Sequence, residues 1–183
     1  MKNPHLDEAQ IIEILNSITT LKEVDWLSDM AYKNQEILDM LLEYSLQPGE
    51  RLAFRASWVL IKVCEKYPGL IHQHLPGIIR QLNEINNDSV SRSFIRILSC
   101  EDMRNFGEEE QALLTDYCLD RLNARETPVA IKSYAMEILY KLTLIYPEPG
   151  NEVAESIRIN MEGGTPRIIS KGRNVLRKII GIT

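Results

Sequence analysis

Chemically specialised residues are scarce in this sequence. The 183 residues include three cysteines and three histidines. Cys64, Cys100 and Cys118 stand far apart, with no Cys-x-x-Cys pair, which excludes a disulfide framework and a cysteine-based zinc site. Free thiols in apolar stretches behave as small hydrophobes, so a reducing, cytoplasmic compartment is expected. His72 and His74, two apart on a helix, point roughly 200° away from each other and lack a third ligand at suitable spacing. Neither a metal nor a cofactor is expected. A glycine-rich phosphate loop and a nucleophile elbow are both missing, and the chain reads as non-catalytic. No apolar run reaches the length of a membrane span. The stretch MKNPHLDEAQ has no apolar signal core, so secretion is not expected. Sustained alternation of apolar and polar residues is also lacking, which removes β-sheet.

What remains is an ordinary globular composition, 44% apolar and 26% charged, in a chain long enough to bury a sizeable core. The net charge of −5 argues against a general nucleic-acid binder. That charge is uneven. Thr165 to Thr183 hold five basic residues, Arg167, Lys171, Arg173, Arg177 and Lys178, and no acidic ones.

Helical periodicity is everywhere. Residues 7–18, 20–30 and 34–46 each place aliphatic residues on one face, with Thr20 and Asn34 as caps. Gln47-Pro48-Gly49 is a break. The 51–67 stretch is apolar over more than half its circumference, leaving Arg51, Arg55, Trp58, Lys62, Glu65 and Lys66 in one stripe. Tyr67-Pro68-Gly69 ends it. A helix over 70–84, kinked at Pro76, follows. Further helices are expected over 89–99, 108–124, 128–145, 151–161 and 166–180, two of them opened by Thr127-Pro128 and Thr165-Pro166. Residues 100–107 are irregular.

The helices fall into pairs. A basic residue followed by a small one recurs as Arg55-Ala56, Arg92-Ser93, Lys132-Ser133 and Lys171-Gly172, at separations of 37, 40 and 39 residues. Two helices per unit at such a period mark an α-solenoid. The pattern resembles HEAT and armadillo-type repeats, in which the second helix begins with an aliphatic-then-basic pair after a polar turn. Phe54-Arg55 and Ile131-Lys132 match that pair, while Ser91-Arg92 and Ser170-Lys171 match its basic half. The matching turn positions are Gly49, Asn86, Glu126 and Thr165. The resemblance implies an all-α superhelix of four to five helix pairs in a single domain. Residues 1–33 would form an N-terminal pair, a degenerate cap, and 34–180 four repeat units.

The same resemblance implies that second helices line a concave groove. There Arg51, Arg55, Trp58, Lys62, Arg92, Arg96, Lys171 and Lys178 would present a cationic track to a protein or acidic peptide. The alternative use of the basic column is a structural ladder between neighbouring units. The alternative partner is nucleic acid, as in DNA glycosylases for alkylated bases that resemble HEAT arrays. A third reading has the apolar tail Ile179-Ile180-Gly181-Ile182 docking a second copy in a homo-oligomer. Glu137 and Lys141, four apart, are expected to pair on the surface, and Trp26 to pack between the first helices.

Overall fold

The computed structural model describes residues 6–47 and 50–180. Among them are ten α-helices and no strand: α1 (Glu8–Ser17), α2 (Leu21–Lys33), α3 (Gln35–Leu46), α4 (Glu50–Lys66), α5 (Leu75–Gln81), α6 (Asp88–Cys100), α7 (Glu108–Asn123), α8 (Val129–Thr143), α9 (Gly150–Met161) and α10 (Pro166–Ile180). The expected break at Pro48-Gly49 and the tail residues Gly181-Ile182 lie outside the described residues.

Caps explain the starts. Asp7 and Thr20 each form a capping box, with Gln10 and Glu23 as the reciprocal partners. The Asn34 carboxamide oxygen accepts from the Glu36 N–H, and Asn87 Oδ1 accepts from Ser89 N–H at 2.9 Å to open α6. Pro166 occupies the first position of α10, where a missing N–H leaves no intrahelical bond unmade. Thr127 behaves otherwise. Pro128 itself is the cap of α8, with extended ψ and no side-chain hydrogen bond, so that helix begins one residue later than the Thr-Pro signal indicates. The 70–84 stretch is likewise not one kinked helix. A 3-10 turn at His72–His74 precedes α5, which places Pro76 in a first helical turn that needs no N–H from it. Gly69, at φ 88°, makes the left-handed turn that closes off α4.

The chain forms two compact units, Met1–His74 with Ile85–Phe94, and Leu75–Glu84 with Ile95–Thr183. In the first, α4 packs against α1, α2 and α3. Its Ala53, Ala56, Val59, Leu60 and Val63 are buried, in keeping with the girth of its apolar surface. In the second, α8 has the comparable place, against α7, α9 and α10, with Ile131, Ala135, Ile138 and Leu139 buried. Each valine, leucine or isoleucine among them contributes about 2 kcal/mol by leaving water.

The small members of the recurring basic–small pairs share one fate. Ala56, Ser93, Ser133 and Gly172 are all buried. At Gly172 the approach is closest: a Cβ there would lie 2.6 Å from Met161 Sδ on α9. Burial of a small residue is therefore the constant of the repeat, and the basic residue beside it varies in use.

Candidate functional site

Side-chain hydrogen bonds joining residues 34 to 42 apart recur along the chain, a spacing that matches the repeat. Several use the cations that the sequence places on an open track. Arg55 is 9% exposed, and its Nη1 donates to Leu15 O at 2.8 Å. Leu15 belongs to the last turn of α1, whose carbonyls have no intrahelical partner, so the guanidinium caps that helix. Arg55 thus serves within the fold, as a cap of α1.

Lys62 and Lys66 of α4 face Asp25 and Asp29 of α2. Lys66 binds both aspartates, Lys62 lies 3.9 Å from Asp25 and 3.5 Å from Glu65, and Tyr67 Oη donates to Asp29 at 2.6 Å. The hydrogen bonds from Lys66 and Tyr67 hold the Asp29 carboxyl below the usual carboxylate range. Lys62 is therefore an engaged cation, not an open one. Trp58 is half-buried, its ring stacked on Phe54 at a centroid distance of 6.2 Å. Arg51, Arg92 and Arg96 are exposed. Trp26, expected in packing, is 44% exposed.

In the second unit Lys171 and Lys178 of α10 converge on one carboxylate. Lys171 Nζ is 2.5 Å and Lys178 Nζ 3.5 Å from the two oxygens of Glu137 on α8, and Lys178 also covers the Tyr140 ring at 4.8 Å. Burial pushes the Glu137 carboxyl up, yet the two ammoniums outweigh it and keep its pKa low. Glu137 is therefore not the partner of Lys141. Lys141 Nζ instead donates to Ser99 O and Glu101 O at 2.7 and 2.8 Å, closing the end of α6. Lys132 turns toward α9 and donates to Asn160 Oδ1 at 2.8 Å.

The second unit also has an open concavity. Between α8 and α10 lies a groove of about 320 Å³ lined by Ser133, Tyr134, Arg167, Ser170, Lys171 and Asn174. On α10 the positions 167, 170, 171 and 174 share one face by helical spacing. Arg167, Ser170, Asn174 and Tyr134 make no side-chain hydrogen bond or ion pair within the described residues. Arg167 and Lys171 supply positive charge, and hydroxyls and an amide supply further donors. Such a site suits an anion, and of the expected track residues it contains only Lys171. Ser133, Tyr134, Ser170 and Asn174 went unrecognised because none is a signal by itself. The polar stripe of α10 beside Ser133, at the repeat-equivalent place on α8, is the pattern that carries them.

His72 and His74 lie in the 3-10 turn, and no group of three or more His, Cys, Asp or Glu among the described residues could hold a metal. No described helix is long and apolar enough to cross a membrane. A family model for a HEAT repeat domain matches residues 11–179. No curated protein and no solved structure matches the chain.

Proposed function

Since the chain belongs to the HEAT repeat domain family, we propose that it is a non-catalytic interaction module that captures an acidic segment of a partner protein in the α8–α10 groove. The observation that carries this reading is the set of unengaged donors, Arg167, Ser170, Asn174 and Tyr134, gathered beside Lys171 in one concavity. Most of the other cations at the recurring positions serve within the fold. A reducing intracellular compartment fits three cysteines that form no disulfide.

Fluorescence anisotropy with a labelled peptide of alternating Asp and Glu tests the reading. Arg167→Glu should weaken binding at least tenfold, and rising salt should weaken the wild type, as expected for a partly exposed site. Equal affinity of wild type and variant would remove the groove from the account.

A further inference from the structure

The donor set of the groove says more than that it is cationic. A carboxylate is a planar acceptor that one guanidinium can satisfy in a bidentate fork. Here five donor-bearing side chains line one open groove: the Arg167 guanidinium, the Lys171 ammonium, the Ser170 and Tyr134 hydroxyls and the Asn174 amide. Arg, Lys, Ser, Asn and Tyr are side chains of the types that contact phosphate oxygens elsewhere. The position of the groove adds to this. Arg167, Ser170 and Lys171 come from the first two turns of a 15-residue helix, whose N-terminal end favours negative charge.

Lys171 is the adjustable member. Its ammonium rests on Glu137 at 2.5 Å and is 29% exposed, so it reaches solvent while engaged. Lys178 touches the same carboxylate, so Glu137 keeps one cation when Lys171 turns to a ligand. A dianion is better able than a monoanion to draw Lys171 from Glu137, because the Coulomb attraction doubles.

We propose that the groove is a phosphate-group subsite and that the preferred ligand is a phosphorylated segment of a partner protein. This rests on the acidic-segment reading above and names the chemistry of the group taken. The extent of the site favours one phosphate on a peptide over a nucleic-acid backbone. Nucleic-acid affinity grows with the number of phosphates neutralised, whereas this groove offers two cations and the whole chain carries a net charge of −5.

The test compares four probes on the full chain by calorimetry or anisotropy: a peptide with one phosphoserine among acidic residues, its serine and glutamate counterparts, and a single-stranded oligothymidylate. The phosphopeptide should bind at least tenfold tighter than the serine peptide and several-fold tighter than the glutamate peptide, and inorganic phosphate should compete with it. Its affinity should rise between pH 5.5 and 7.5, as the phosphate passes its second pKa of about 6. Arg167→Gln and Ser170→Ala should each erase most of the phosphoserine advantage. Arg173→Gln, a matched charge loss on α10 outside the groove, should keep it. Equal binding of the phosphoserine and glutamate peptides would overturn the phosphate subsite and leave the acidic-segment reading standing. No binding of any peptide would overturn both, and tighter binding of the oligonucleotide than of the phosphopeptide would replace both with a nucleic-acid site.

Discussion

Arg55 Nη1 and Leu15 O lie 2.8 Å apart across 40 residues of chain, and the contact ties α4 to the carbonyl end of α1. Replacing Arg55 with alanine strands that carbonyl in a buried place and should cost about 2 kcal/mol. Arg55→Lys keeps the charge but not the reach and fork of the guanidinium, so it should recover part of the loss. Urea unfolding measures both variants, and an unchanged midpoint for Arg55→Ala would show that the cap adds nothing.

Asp29 gives the first unit a pH dependence. Its folded pKa lies below the unfolded value because Lys66 and Tyr67 hydrogen-bond the ionised form. The stability it adds is therefore complete above the ordinary aspartate pKa of about 3.9 and lost as pH falls through the lower folded value. Asp29→Asn should destabilise at pH 7 and converge toward wild type near pH 3. A gap that stays constant between these pH values would contradict the assignment.

A different network holds the irregular stretch before α7. Gln111 is buried, and its Nε2 donates to Met103 O and Phe106 O, both at 2.9 Å, while Tyr146 Oη donates to Gln111 Oε1 at 2.6 Å. Gln111→Leu should cost about 2 kcal/mol and Tyr146→Phe about 1 kcal/mol, since a neutral buried hydrogen bond is worth about that much. Because the residues touch, the double variant should lose less than the sum of the two single losses. Strict additivity would separate them.

The thiols report on the packing. Cys100 is exposed at the end of α6, whereas Cys118 is fully buried in α7, and burial pushes its thiol pKa far up. Native labelling followed by peptide mass analysis should modify Cys100 within minutes and reach Cys118 only as the chain unfolds. Equal rates would show that α7 opens far more readily than its burial implies.

The all-helical class and the repeat were legible because both rest on periodicity. Turn signals such as Tyr67-Pro68-Gly69 and caps such as Thr20 depend on neighbours a few residues away, and helical spacing does too. The fate of each cation was not legible, because it depends on what stands opposite. Arg55 and Lys171 occupy the same place in the repeat pattern, yet one meets a buried carbonyl and the other a half-buried carboxylate. Glu137 illustrates the same limit. Local spacing pairs it with Lys141, whereas packing of α10 on α8 brings two lysines to it and leaves Lys141 for the end of α6. Tyr134 counts as apolar by periodicity and lies half-buried at the edge of the groove.

A nitrogen–proton correlation spectrum of the labelled chain, titrated with the Asp-Glu peptide, reads directly where a partner binds. Binding in the α8–α10 groove should concentrate the shifts at Ser133, Tyr134 and residues 167–174, with saturation lost in Arg167→Glu. Shifts centred instead on Arg51, Trp58 and Arg92, with the α8–α10 resonances unmoved at saturation, would contradict it.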